Sequence, residues 1–244
     1  MNPETFGTPM EFADVETSSE GYARRFSGPV GEFFLALQTQ ITLALLKPWP
    51  GAKVLDIGGG HGQLALPLIE AGYEVTVAGS HPACRERLDH LLPSGSYDFI
   101  MGNLLSLPLE DNSFDIVLSF RLLPHVEDWP KLIAECCRLA GEAVIVDYPD
   151  IRSVNFFSKL FFQIKKAIEK NTRPFSCFSR RELKGEFSKH HFSHALFQPE
   201  FFIPMALHRA LKSATLSRGL EAVFQRLGLT HLLGSPVILR VTPS

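Results

Sequence analysis

The sequence predicts an α/β fold, a parallel sheet covered on both faces by helices. Two observations carry this. Short continuous apolar runs alternate with segments of helical spacing between residues 53 and 147. The first run, Lys53 to Ile57, opens onto four glycines within five positions (Gly58, Gly59, Gly60, Gly62), and helical spacing resumes at Leu64. Unbroken apolar strands mean burial on both faces, which is what crossover helices impose on a parallel sheet.

Each element follows from its residues. Positions 1–20 hold few apolar anchors and are expected to be loose. A helix is predicted through Phe33, Leu37, Ile41 and Leu45, ended by Pro48 and Pro50. After the opening strand come a helix over 64–71 closed by Gly72, a strand over 74–78, and a helix over 82–92. Strands follow at 98–101, 115–120 and 142–147, with a helix after Asp128 that tolerates Pro130 in its first turn. Beyond 150, Ser179 and Glu182 form a capping-box signature. A sixth strand is read at 191–197, helices at 200–213 and 217–227, and a last strand at 237–241. Parallel sheets bind ligands at the carboxyl ends of their strands. A site is therefore expected from the loops 56–62, 79–81, 102–104, 119–125 and 147–152. The bare glycine turn, with the N–H groups of a following helix, reads as a nucleotide-type cofactor site.

Composition narrows the class. With 244 residues, 45% hydrophobic and 20% charged, the chain can bury a sizeable core, and global disorder is excluded. The acidic N-terminus has no cationic start before an apolar core, so no signal peptide is expected. The apolar stretch 33–46 is broken by Gln38 and Gln40 and falls short of a bilayer span. Cys84, Cys136, Cys137 and Cys177 lack CxxC or finger spacing, which suggests reduced thiols in a cytoplasmic protein and no metal site. Charge is uneven: residues 151–218 carry a net +9 and the remainder −11.

VLDIGGGHG resembles motif I of the class I S-adenosylmethionine-dependent methyltransferases, with Asp56, Gly58, Gly60 and Gly62 in register. GNLLSLPLEDNSFDIVLSFRLLPHVEDW is similar to the same family's stretch from the third strand to the helix after the fourth. The nearest group in kind holds the ubiquinone/menaquinone C-methyltransferases. The resemblance implies a Rossmann-like, seven-stranded, mostly parallel sheet with an antiparallel last strand, an N-terminal helical lid and an insertion after strand five. It divides the chain into an arm and lid (1–49), a cofactor-binding core (50–150), a Phe-rich basic acceptor cap including strand six (151–218), and the last helix and strand (219–244), all in one structural domain. It implies S-adenosylmethionine as cofactor and S-adenosylhomocysteine as product. Asp56 would organise the loop or reach the ammonium, Asn103 would bond the adenine amino group, and Leu104 would wall the ring. Ser119 and Phe120 would contact the methionine end. The family's ribose-binding acid at the end of strand two falls here on Gly79, with Ser80 and His81 as the nearest polar substitutes. Losing that charge-assisted pair of bonds costs about 1.5–3 kcal/mol.

Some residues carry two readings at this point. His125 is a general base or acceptor contact, or a histidine packing its loop. Tyr148 is the other candidate base, and Arg152 beside it an acceptor contact or a loop brace. Tyr22 and Arg25 close a lid over the cofactor, or make a helix-start salt bridge. His190 and His191 read as a surface pair. The stripe with Phe157 and Phe161, backed by lysines, is core, or it caps a lipid-like acceptor and touches an anionic membrane; nucleic acid is disfavoured because no stacking or groove-reading motif accompanies the charge. The expected function is methyl transfer to a small, amphipathic acceptor. The alternatives are a non-catalytic cofactor-binding or membrane-surface module, and a macromolecular acceptor.

Overall fold

The computed structural model describes residues 12–153 and 175–244. Phe157 and Phe161 and the lysine-backed stripe around them lie outside the described residues. Seven strands form one sheet: β1 (Lys53–Ile57), β2 (Glu74–Gly79), β3 (Asp98–Met101), β4 (Phe114–Ser119), β5 (Ala140–Tyr148), β6 (Phe192–Pro199) and β7 (Val237–Pro243). Their order is β3-β2-β1-β4-β5-β7-β6. β1 lies between β2 and β4, parallel to both, with Leu55 opposite Thr76 on one side and Val117 on the other. β7 runs antiparallel to β5 and β6. The strand order reverses between β1 and β4, which places the ligand crevice at their carboxyl ends.

Helices in chain order are α1 (Ala13–Thr17), α2 (Glu20–Ala23), α3 (Gly28–Leu46), α4 (Ala65–Glu70), α5 (Ala83–Leu91) and α6 (Trp129–Leu139). After β5 come α7 (Arg180–Lys189), α8 (Met205–Leu211), α9 (Ala214–Arg226) and α10 (Leu229–Leu233). The predicted capping box opens α7: the Ser179 hydroxyl accepts from Glu182 N, and Ser179 N donates back to the Glu182 carboxylate. α3 is longer than its apolar pattern suggested and long enough to span a bilayer, yet Phe34, Gln38, Thr42, Leu45 and Leu46 are buried in the protein body. The helix expected over 200–213 begins only at Met205, because Pro204 has no N–H to give and stands at its N-cap. Residues 13–18 are not loose as expected; α1 is docked, for a reason given below.

Side-chain alternation divides the core into two layers. Leu55 and Ile57 of β1, Val117 of β4, and Val144, Val146 and Tyr148 of β5 join one apolar cluster. Val54, Ile116, Leu118, Ala143 and Ile145 join the other, with Leu45 and Leu46 of α3 and Leu68 of α4. By the same parity, Asp56 and Asp147 belong to the second face, the one α3 crosses. Two acids at neighbouring strand ends are thus brought under one helix.

Candidate functional site: a two-part crevice over the strand ends

β1 hands over to the glycine turn at Gly58, whose φ of +76° is left-handed, as is that of Gly62 at +75°. At Gly60 space is the constraint: a Cβ there would sit 2.5 Å from the Cys84 carbonyl oxygen and against the Ser18 hydroxyl. Asp56, only 3% exposed, lies beside this turn. Its Oδ1 has no hydrogen-bond partner among the described residues. Burial pushes its pKa up to about 7; the Arg121 guanidinium opposes that shift and Asp147 adds to it.

Arg121, just past β4, takes a φ of +58°. Its backbone N donates to Asp147 Oδ1 at 2.5 Å, and its guanidinium lies 4.7 Å from the centre of the Phe26 ring and 5.9 Å from that of Tyr22. His61 on the glycine turn meets the Tyr22 and Phe26 rings edge-on at 5.8 and 5.9 Å. Burial and the charges of Arg121 and Arg87 drive its pKa down to about 3, so the imidazole is neutral. Glu20 pairs with Arg87, whose Nε donates to the His61 carbonyl at 2.9 Å. The segment from α2 to Phe26 is thereby fastened over the turn as a lid. Tyr22 lies inside it; Arg25 lies on its outside, paired with Glu16 at 3.3 Å and stacked on Tyr22 at 4.9 Å.

α1 occupies the crevice beside the end of β2. The Asp14 carboxylate, fully buried, accepts from Ser80 N at 2.7 Å, from the Ser80 hydroxyl, and from Cys84 Sγ at 3.1 Å. Ala13 joins the apolar cluster that contains Leu104. A carboxylate therefore does stand at the end of β2, but it comes from 66 residues away. Gly79 itself has no room for one: a Cβ would meet the Cys84 Cβ at 2.8 Å and the Phe99 ring at 2.9 Å. Restoring the acid as Gly79→Asp is expected to lower stability by about 1–3 kcal/mol through overpacking. Chemical denaturation of the two proteins checks this, and an equal midpoint would refute it.

Beyond Arg121 the crevice opens into a cavity of about 300 Å³. Its apolar wall includes Phe26, Phe34, Phe202 and Met205; its polar groups include Arg121, Gln38, Asp147, Glu200, Tyr22 and His125. Gln38 Nε2 bridges the two carboxylates, at 3.2 Å from Asp147 Oδ2 and 3.1 Å from Glu200 Oε1. Burial raises both pKa values, Asp147 to about 6 and Glu200 well above the ordinary range. Asp147 is held lower than Glu200 because the Arg121 N–H and guanidinium favour its charged form.

Most residues nominated from sequence gather around this crevice. Asp56, Gly58 and Phe120 line a small compartment beside the glycine turn, with Thr17 and Arg121. Ser119 is buried below it. Asn103 caps its own turn, its Oδ1 accepting from Leu105 N at 3.1 Å, and Leu104 is fully buried. Ser80 holds Asp14, whereas His81 is exposed and accepts from Ala83 N. His125 and Tyr148 line the cavity. The Tyr148 hydroxyl is raised by burial and by Asp150, and Arg180 lies beside it. Arg152 is bound to Asp150 at 2.9 Å. Sequence reasoning missed Asp14, Gln38, Arg121 and Glu200 as site residues. It reached Asp147 only as the start of a loop, although a polar residue ending a buried strand was signal enough.

The methionine end of S-adenosylmethionine can be tested against these residues. It carries an ammonium, a carboxylate and a sulfonium. The turn offers bare backbone, an orphaned Asp56 oxygen and the Arg121 cation, which fit. The space for that end is not open: the compartment lined by Asp56, Gly58, Phe120 and Arg121, with Thr17 of α1 on its wall, is about 10 Å³, room for one water, while α1 is seated.

Strand order and the glycine turn are those of the Rossmann-like fold found in class I S-adenosylmethionine-dependent methyltransferases. Residues 55–142 match the family model described as a methyltransferase domain. The ubiquinone/menaquinone biosynthesis C-methyltransferase of Xanthomonas oryzae is 31% identical over 121 residues, 46% of this chain and 47% of that protein. The chain thus matches curated relatives over about half their length. Among solved structures, an S-adenosylmethionine-dependent methyltransferase of Thermotoga maritima superposes with a TM-score of 0.66 at 18% identity, covering 95% of this chain and 99% of that one. The magnesium protoporphyrin IX methyltransferase of Synechocystis, solved with S-adenosylhomocysteine, gives 0.61 at 17%, over 93% and 96%.

Proposed function

We propose that the chain transfers a methyl group from S-adenosylmethionine to a small, largely apolar acceptor held in the 300 Å³ cavity. The observation that carries this is an imbalance of buried charge. Asp56, Asp147 and Glu200, at the ends of β1, β5 and β6, share one guanidinium, that of Arg121 past β4, and burial makes them hold protons where a second cation is missing. Such a site is short of positive charge, and the cofactor brings a sulfonium and an ammonium. The apolar wall beyond it suits a flat hydrophobic acceptor, in keeping with the quinone and porphyrin named for two of the similar proteins.

The cofactor supplies an electrophilic methyl on sulfur. In an in-line displacement the acceptor nucleophile bonds to that carbon while the C–S electron pair returns to sulfur. The protein orients the partners and keeps water out. Where the nucleophile carries a proton, we assign its removal to Asp147, which is ionised above about pH 6 and lines the cavity. Tyr148 is a poor base with its hydroxyl pushed up, and His125 stands as an acceptor contact. Gln38 positions both carboxylates, and the stacked lid closes the site.

Calorimetry tests the reading through its pH dependence. Asp56 and Asp147 hold protons below about pH 7 and 6. A bound cation favours their ionised forms, so binding releases protons and tightens as pH rises through that window. From pH 5.5 to 8, S-adenosylmethionine affinity is expected to rise about tenfold or more, by the arithmetic of one pKa unit. S-adenosylhomocysteine, lacking the sulfonium charge, should gain less. Equal slopes for the two ligands would remove the charge argument, and absence of binding by either would remove the enzyme reading.

A further inference from the structure

α9 is an amphipathic helix turned the wrong way round for a core helix. Its apolar positions Leu216, Leu220, Val223 and Leu227 recur at helical spacing and are 57, 39, 50 and 66% exposed. Its inward positions are instead polar: Ser217 is buried, and Glu221 accepts from Phe202 N and Ile203 N at 2.9 Å and bonds His208 Nε2 at 2.9 Å. That buried network fixes the helix's rotation, so its stripe cannot turn inward without stripping two backbone donors and His208 of their partner. The neighbouring helices extend the face. Leu207 and Leu211 of α8 and Leu232 and Leu233 of α10 are also exposed, between 40 and 59%. Seven of the thirteen large apolar side chains exposed among the described residues lie on these three helices, and an eighth, Leu227, caps the end of α9. An apolar patch of that extent marks an interaction surface.

Its charge names the occupant. Residues 205–233 hold Arg209, Lys212, Arg218 and Arg226, all exposed, against one acid, Glu221, which is buried; Arg209 and Arg218 stack on Phe26, Phe34 and Phe33, and Arg226 flanks the stripe by helical spacing. A second copy apposing the same face would bring these cations together, since a two-fold interface sets like against like. An anionic bilayer meets both demands: leucines at the headgroup boundary and cations among the phosphates. We propose that α8–α10 dock the protein on an anionic lipid surface. α8 begins at Met205, which lines the cavity, so the lipid-facing surface starts at the acceptor site. The docking rests on the acceptor reading only for that purpose, delivery of an apolar substrate from the bilayer.

Flotation of the full chain with vesicles of equal parts phosphatidylcholine and phosphatidylglycerol tests it. The protein is expected to float with these vesicles, to stay in the buffer with phosphatidylcholine alone, and to detach as salt rises. Leu220→Asp combined with Val223→Asp should weaken partitioning at least tenfold while leaving S-adenosylhomocysteine affinity unchanged. Parent protein that does not float, or a variant that floats as well as the parent, overturns the proposal. So does a stable parent dimer that the same variant dissociates, because the face then belongs to a second copy. Loss of S-adenosylhomocysteine binding by the parent would instead strike at the enzyme reading and leave the flotation result standing.

Discussion

Replacing Asp14 by alanine is expected to tighten S-adenosylhomocysteine binding about tenfold or more. Asp14 holds α1 in the crevice: its carboxylate takes the Ser80 N–H, the Ser80 hydroxyl and Cys84 Sγ. Each hydrogen bond to a charged acceptor is worth about 1.5–3 kcal/mol. While α1 is seated, with Thr17 on its wall, the space beside the glycine turn admits one water, so the amino-acid end of the ligand can enter only the fraction of molecules in which α1 has left. The apparent dissociation constant is then the intrinsic one divided by that fraction. Weakening the seat by about 1.4 kcal/mol raises the fraction, and the affinity, tenfold. Calorimetry reads the affinity, and hydrogen exchange supplies a second measure. Amides 13–18 should exchange faster in Asp14→Ala, and faster in the parent once ligand is added. Weaker binding by Asp14→Ala, with exchange unchanged, would show the opposite: a carboxylate reading the ribose from α1 in place of the acid that Gly79 cannot accommodate.

Asp14 also shows where a sequence stops being legible. The sheet was readable because a strand buried on both faces writes its burial into consecutive residues, as EAVIVD does before Tyr148. The glycine turn was readable because Gly58 and Gly62 must adopt left-handed backbone. Asp147 lay within reach of the same logic, since the alternation Val144, Val146, Tyr148 fixes which face it shares with Asp56. Asp14, Gln38 and Glu200 were not, because their roles arise from contacts across 66, 109 and 162 residues that no local pattern encodes. α9 misleads any reading by amphipathicity. Its stripe looks like a core face, and only the partners of Glu221, set by the Phe202–Ile203 backbone and His208, turn it outward.

Asp147→Asn is expected to slow methyl transfer by about 10²–10⁴, the usual worth of a positioned general base, without unfolding the protein. The two effects separate because they depend on pH in opposite ways. Burial raises the Asp147 pKa to about 6 from an ordinary 3.8, so the folded chain holds its proton more firmly than the unfolded chain does. Stability tied to this group is therefore intact below about pH 4 and falls as pH rises to 6, by up to about 3 kcal/mol. The asparagine removes that loss. Its Oδ1 can still accept the Arg121 N–H, although its amide then faces the Gln38 amide as a second donor. At pH 8 the variant should be at least as stable as the parent, and near pH 4 the two should agree. With S-adenosylmethionine saturating, kcat/KM for the acceptor in the parent should climb with pH and level off above about 6, because only the ionised carboxylate accepts a proton; in Asp147→Asn that climb should vanish. Tyr148→Phe should keep it. A variant that turns over normally with the climb intact would take the proton away from Asp147, and His125, on the same cavity wall, would be next to replace.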